Sequence, residues 1–249
     1  MKILVIANWK MNPQSLTEAK QLFNLVKRGV KNIKKVEVVI CPPFVFLSNI
    51  QYLTLSIKLG AQDCFWGKEG AYTGEVSPRM LKNLGCQYVI IGHSERRRYF
   101  GETDEIINKK LKAVLETKIN PILCIGETQE ERGQGKTESV LRNQITSDLK
   151  GVSALKFSKI TIAYEPVWAV GTGNPCSVEE AQKIGLLIRK IISGIYNRAL
   201  SKNLRILYGG SVNSKNAADY IKEANLQGLL VGGASLVAEE FIKIVESVI

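Results

Sequence analysis

Residues 204–212 read Leu-Arg-Ile-Leu-Tyr-Gly-Gly-Ser-Val, and residues 228–235 read Gly-Leu-Leu-Val-Gly-Gly-Ala-Ser. Each is a short apolar run closed by a glycine pair, and the two are near-copies across the junction. Neither run alternates clearly with period 2, which is the pattern of parallel strands buried on both faces. Upstream, comparable runs begin near Ile3, Val36, Ile57, Tyr88, Pro121 and Ile160. Amphipathic stretches separate them. In the first stretch Leu16, Ala19, Leu22, Phe23 and Val26 line one helical face, and Ser15 with Glu18 forms a capping box. The longest helix candidate starts the same way, with Ser177 and Glu180. Its apolar stripe is Val178, Ala181, Ile184, Ile188, Ile191 and Ile195.

From Ile3 to Gly228 the strand starts recur about every 32 residues, the size of a βα unit with a right-handed crossover. Eight such units in 249 residues predict an α/β fold, a (β/α)8 barrel of eight parallel strands ringed by helices. An open doubly wound sheet is the rival, but no G-x-G-x-x-G follows the first strand. No Pro/Ser-rich linker and no break in composition divides the chain, so residues 1–249 are expected to form one domain.

Composition narrows the function classes. With 45% apolar and 23% charged residues the chain is ordinary globular material rather than disordered. The net charge of +11 points to anionic partners, such as nucleic acid, a membrane surface or a phosphorylated small molecule. A single histidine excludes a multi-His metal site and any mechanism that needs two imidazoles. Cys41, Cys64, Cys86, Cys124 and Cys176 contain no C-x-x-C pair and are odd in number, so neither a zinc site nor a disulfide framework fits. Reduced core thiols fit better. Only five apolar residues follow Lys2, too few for a signal peptide, and no apolar run approaches a membrane span of roughly 18 residues. The expected compartment is the cytoplasm.

In such a barrel the active site lies at the carboxyl ends of the strands. Reactive residues cluster there. Asn8, Trp9 and Lys10 follow the first run; Gly92-His93-Ser94-Glu95-Arg96-Arg97 follows the fourth; Glu165-Pro166 follows the sixth. Gly209-Gly210-Ser211 and Gly232-Gly233-Ala234-Ser235 follow the last two. Glycine lets backbone approach a ligand, and consecutive N–H groups then make an anion nest. The loops after strands seven and eight are the recurrent phosphate site of this fold. Pro166 holds Glu165 extended. Pro166, Val167, Trp168, Ala169, Val170, Gly171, Thr172 and Gly173 make an apolar loop with glycines at its far end, suited to a lid that excludes water. His93 precedes a Ser-Glu-Arg helix start, whose N–H groups disfavour imidazolium and keep the ring a neutral donor. Trp9 and Met11 flank Lys10 and are expected to shelter it.

Several strings together carry a resemblance that runs essentially end to end. They are Asn8-Trp9-Lys10-Met11-Asn12, Gly70-Ala71-Tyr72-Thr73-Gly74-Glu75, Ile91-Gly92-His93-Ser94-Glu95-Arg96-Arg97, Cys124-Ile125-Gly126-Glu127-Thr128, Ala163-Tyr164-Glu165-Pro166-Val167-Trp168, Tyr208-Gly209-Gly210-Ser211-Val212 and Val231-Gly232-Gly233-Ala234. With them the chain resembles the triosephosphate isomerase family, whose fold is the TIM barrel. The resemblance implies interconversion of dihydroxyacetone phosphate and D-glyceraldehyde 3-phosphate, a step of glycolysis and gluconeogenesis. It implies Glu165 as the base that moves a proton between neighbouring carbons, and neutral His93 as the group polarising the oxygens. Lys10 and Asn8 would stabilise negative charge, with Glu95 positioning Lys10. Backbone N–H groups at Gly171, Ser211, Gly232 and Gly233 would hold the phosphate, with Ser94, Gly209 and Gly210 in support. The lid would keep the enediolate from eliminating phosphate. No metal or redox cofactor is implied. The family is usually a homodimer whose third loop, here carrying Thr73, enters the partner's site. Two departures stand out: Gln62-Asp63 replaces the commoner Gln-Asn near that interface, and Asn174-Pro175-Cys176 differs from the commoner lid hinge.

Two rivals remain. Another phosphate-binding barrel enzyme, an aldolase or a sugar-phosphate epimerase, shares the phosphate signal; an aldolase would want a Schiff-base lysine inside a strand, and none of the eight runs offers one. A nucleic-acid-binding protein would exploit the +11 charge. However, Arg96-Arg97-Arg98 and Lys34-Lys35 are the basic clusters, and the remaining basic residues are dispersed and little interleaved with aromatics. A solvated surface, with no nucleic-acid or membrane partner, is the expectation. Gly133-Gln134-Gly135-Lys136-Thr137 resembles the end of a P-loop, but Glu130 stands where that motif needs its first glycine.

Overall fold

A computed structural model of the chain describes residues 2–53 and 57–249. Its strands are β1 (Ile3–Asn8), β2 (Val36–Cys41), β3 (Lys58–Ala61), β4 (Tyr88–Ile91), β5 (Asn120–Ile125), β6 (Thr161–Tyr164), β7 (Arg205–Tyr208) and β8 (Gly228–Val231). They form a closed parallel barrel in sequence order, with β8 returning to β1 so that Leu4 faces Gly228 and Ala7 faces Val231. Twelve α-helices among the described residues surround it, giving the expected (β/α)8 architecture. Every strand begins within one residue of its sequence-based position.

Two apolar layers explain the missing period-2 signal. Leu4, Ile6, Val39, Cys41, Ile90, Ile122, Cys124, Leu207 and Leu230 form one cluster, which fills the barrel. Their strand neighbours Val5, Ala7, Val89, Ile91, Leu123 and Ile125 belong to the other, shared with the helices. Alternate side chains point to opposite faces, but both faces are dry. Closure also needs glycine at one place. A Cβ on Gly228 would stand 2.0 Å from the Leu4 carbonyl oxygen and 2.6 Å from Leu207 Cδ2. Gly228→Ala is therefore expected to destabilise the barrel by at least about 2 kcal/mol, as forced overpacking does. A denaturant midpoint equal to that of the unaltered chain would contradict this.

Helix Leu16–Val30 starts with the expected capping box. Ser15 Oγ accepts from the Glu18 N–H and the Glu18 carboxylate accepts from the Ser15 N–H, both at 3.2 Å. Helix Val178–Ile195 corrects the parallel expectation. Ser177 Oγ accepts from the Glu180 N–H at 3.1 Å, but no reciprocal bond forms, because Glu180 instead pairs with Arg132 at 2.8 Å. Its buried stripe also ends on Ile192 rather than Ile195, which lies in the last turn and stays exposed.

The barrel is closed at its amino end by polar side chains. Lys58 Nζ lies 2.9 Å from Glu37 Oε1, Tyr88 donates its hydroxyl hydrogen to Glu37, and Arg205 Nη1 donates to the Tyr88 oxygen at 3.4 Å. The carboxyl end stays open and carries the loops that hold the reactive residues.

Candidate active site

The five expected segments converge. A cavity of about 230 Å³ at the carboxyl mouth is lined by Asn8, Lys10, His93, Glu165, Gly171, Ser211, Gly232 and Gly233, together with the neighbouring lid and glycine residues. Glu95 and Ser94 touch this set from behind.

Glu165 follows β6 directly. Its N–H donates to the Ile125 carbonyl at 2.8 Å, which ties the residue to β5. Its side chain is buried. Oε2 accepts the Ser94 N–H at 2.9 Å. Oε1 lies 3.2 Å from His93 Nε2, yet no hydrogen bond completes it. One oxygen of a buried carboxylate is thus anchored and the other idle, an arrangement suited to accepting a proton from bound ligand. Glycines make room for this. A Cβ on Gly126 would lie 1.7 Å from the Glu165 carbonyl oxygen, and one on Gly209 would lie 2.8 Å from Glu165 Cγ.

His93 caps the helix Ser94–Phe100, and its Nδ1 accepts the Glu95 N–H at 3.3 Å. An acceptor nitrogen carries no proton, so the hydrogen of the neutral ring sits on Nε2, 3.2 Å from Glu165 Oε1 but not aligned to bond it. Lys10 adopts φ +54°, an uncommon conformation for a residue with a side chain. Two bonds over-determine it: its N–H donates to Asn8 Oδ1 at 3.0 Å, and its carbonyl accepts from Gln62 Nε2 at 2.8 Å. Its ammonium then meets Glu95 Oε1 at 2.6 Å. The shelter comes from that pair and not from Met11, which is 83% exposed; Met11 lies past the left-handed turn and points away from the barrel.

The lid is docked. Residues Val167–Ala169 form one 3-10 turn. Trp168 Nε1 donates to Glu127 Oε1 at 2.9 Å, Tyr164 donates to the same oxygen at 3.1 Å, and the Arg132 guanidinium stacks 3.7 Å over the Trp168 ring. Burial raises the Glu127 carboxyl above its ordinary range, and the Trp168 and Tyr164 bonds oppose that rise. Ser211 Oγ donates to the Ala169 carbonyl at 2.8 Å and accepts the Gly173 N–H at 3.3 Å. At the hinge, the Cys176 N–H donates to the Tyr208 hydroxyl at 2.9 Å, and Tyr208 stacks on Tyr220 at 3.8 Å. Sequence reasoning did not assign roles to Glu127 or Tyr208. Glu127 lies two residues past β5, and nothing in the sequence sets it apart from other loop acids. Tyr208→Phe removes one hydrogen bond, worth about 1 kcal/mol. It is expected to shift kcat or KM about fivefold in a steady-state assay; unchanged constants would show that the Cys176–Tyr208 bond does not bear on the loop.

Two expectations need correction. The two glycine pairs are not equivalent anion nests: the Gly209 N–H is already donated to the Tyr164 carbonyl at 2.8 Å, and Gly209 serves to seat Glu165. Nor is the whole of Arg96-Arg97-Arg98 a solvated cluster: Arg98 is exposed, but Arg96 and Arg97 are not. Arg97 turns inward to Asp148, 3.1 Å away, and to Asp104. Arg96 Nε turns inward to Asp63, 2.8 Å away, and to Glu102. Buried carboxylates draw both in, because an unpaired buried charge is costly. Asp63 also receives Lys110 Nζ at 2.7 and 2.8 Å. The departure at Gln62-Asp63 is thus absorbed inside the subunit, while burial pushes the Asp63 carboxyl up to about 6 against the pull of Lys110. Thr73 sits in an exposed loop, apart from the cavity.

Comparison with known proteins agrees with this geometry. The family model described as Triosephosphate isomerase matches residues 3–248. The chain is 50% identical over 246 residues to a triosephosphate isomerase of Dictyoglomus turgidum, covering 98% of each. It is 48% identical to that of Dictyoglomus thermophilum and 47% identical to that of Alkaliphilus oremlandii, again over 98% of both chains. A match of this extent, joined to a closed eight-stranded barrel with Glu165 and His93 at its mouth, places the chain in the triosephosphate isomerase family.

Proposed function

We propose that the chain interconverts dihydroxyacetone phosphate and D-glyceraldehyde 3-phosphate. The observation that carries this reading is the idle Glu165 Oε1 beside His93 Nε2, in a cavity that Gly171, Gly232 and Gly233 also line. Glu165 takes a proton from the carbon next to the carbonyl, leaving an enediolate. It returns the proton to the neighbouring carbon. His93 donates its Nε2–H to the oxygen that gains charge and takes back the hydroxyl proton of the neighbouring oxygen, so that one O–H proton passes between the two oxygens as the carbon-bound proton moves. Lys10, oriented by Glu95 and Asn8, adds a fixed positive charge. One base supplies about 10²–10⁴ of acceleration, so charge stabilisation at the oxygens must supply much of the rest. The N–H groups of Gly171, Ser211, Gly232 and Gly233 receive the phosphate. Lid residues Pro166–Gly173 exclude water and so favour reprotonation over loss of phosphate. None of these steps calls on a metal or redox cofactor.

A coupled assay of purified protein with each triose phosphate tests the reading. Turnover in both directions is expected; absence of turnover with either substrate refutes it. An aldolase would instead cleave or form a carbon–carbon bond, and no barrel-lining lysine supports that route.

We also propose one domain over residues 1–249, a cytoplasmic location and a homodimer with no nucleic-acid or membrane partner. No helix among the described residues is long and apolar enough to cross a membrane. Met11, Val45, Tyr72, Met80, Tyr99 and Phe100 are large apolar side chains left exposed and would be candidates for burial in such an interface. Sedimentation equilibrium at micromolar protein is expected to give twice the 27.6 kDa chain mass; a monomer would refute the homodimer.

A further inference from the structure

We infer that Arg97 is a positioning residue for the reaction, a strap that sets where His93 stands. This rests on the reading of His93 as the donor to the substrate oxygen. Arg97 folds back beneath its own helix. Its Nε donates to the Gly92 carbonyl at 3.0 Å, and its Nη2 donates to the Cys124 carbonyl at 3.4 Å. Asp148 at 3.1 Å and Asp104 hold the far side of the guanidinium. One rigid fork thus joins the end of β4 to the end of β5.

Both joined points lead directly to the acid–base pair. Gly92 adopts φ +73° immediately before His93, so its carbonyl fixes the turn from which the imidazole projects. A Cβ there would stand 3.2 Å from the Cys124 carbonyl oxygen and 3.4 Å from Arg97 Nη2, so the turn, the strand and the guanidinium are already in close contact. On the other side, Ile125 follows Cys124 and accepts the Glu165 N–H at 2.8 Å. The strap therefore spans the gap across which His93 Nε2 faces Glu165 Oε1. A guanidinium suits this task because it is planar and presents donors in fixed directions; a lysine ammonium keeps the charge and loses the fork. Asp104 and Asp148 neutralise the charge, and their bonds to the guanidinium leave His93 and Glu165 untouched.

The test is a double-mutant cycle between Arg97→Lys and His93→Gln, with kcat measured on protein whose folded fraction is fixed by circular dichroism. His93→Gln alone is expected to lower kcat strongly; if it does not, the reading of His93 fails, independently of the strap. In the unaltered background Arg97→Lys should lower kcat on the order of tenfold, through a displacement smaller than the 1 Å that costs about 10²-fold. KM should stay within about twofold of its original value, because the phosphate N–H groups lie elsewhere. In the His93→Gln background Arg97→Lys should cost less than about twofold, since its effect passes through the imidazole. Additive losses, or an unchanged kcat in Arg97→Lys, would overturn the inference. Should Arg97→Lys fail to fold, Asp104→Asn loosens the same guanidinium from its more exposed side. A several-fold loss of kcat that vanishes with His93→Gln is then expected, and additivity again overturns the strap.

Discussion

Glu165→Ala is expected to lower kcat by about 10³-fold while leaving the affinity for glycerol 3-phosphate within a few-fold of its original value. The magnitude follows from removal of the proposed base: positioned proton transfer contributes about 10²–10⁴, and among the described residues no other carboxylate lines the cavity. The retained affinity follows from the partners. Glu165 bonds to Ser94 and faces His93, whereas the proposed phosphate contacts are backbone N–H groups of other loops. Glycerol 3-phosphate carries the phosphate but lacks a carbonyl beside an acidic C–H, so its binding reports the phosphate end alone. Truncation also leaves the buried Ser94 N–H without its acceptor, a cost of about 1–3 kcal/mol in stability. The assay must therefore count folded protein. Turnover that survives in the folded variant would remove Glu165 as base and reopen the choice of enzyme class.

The parts of the molecule that were legible in the sequence are those governed by short range. Strand starts recur because each βα unit repeats the same local sequence of apolar run, turn and amphipathic helix. Glu165, His93 and Lys10 stood out because reactive side chains at strand ends have few structural reasons to be there. Arg97 and Glu127 were opaque for the converse reason. An arginine in a run of three looks like solvated surface until Asp148 and Asp104 are known to lie beneath it. A glutamate after β5 looks like any loop acid until Trp168 and Tyr164 are seen to share one of its oxygens. The glycine pairs were half legible. Sequence shows that a side chain is missing but does not show which neighbour takes up the space.

That distinction yields the second large effect. Gly209→Ala should lower kcat by about 10²-fold, as a displacement near 1 Å of a reacting group does, without loss of affinity for glycerol 3-phosphate. Gly209 is not among the positive-φ glycines, so its own backbone accepts a Cβ. The neighbours do not. The added carbon would lie 2.8 Å from Glu165 Cγ and 3.3 Å from the Tyr164 carbonyl oxygen. Retreat of the backbone is blocked, because the Gly209 N–H is bonded to that same carbonyl. The carboxylate is then displaced at its root, and Oε1 moves with it. Gly233→Ala makes the contrast. A Cβ there meets nothing within 4 Å, so the methyl enters open cavity where the phosphate is proposed to sit. Gly233→Ala should weaken glycerol 3-phosphate binding and raise KM, with kcat less affected. Equal losses of phosphate affinity in the two variants would mean that Gly209 serves the ligand directly, and that seating the base is not its role.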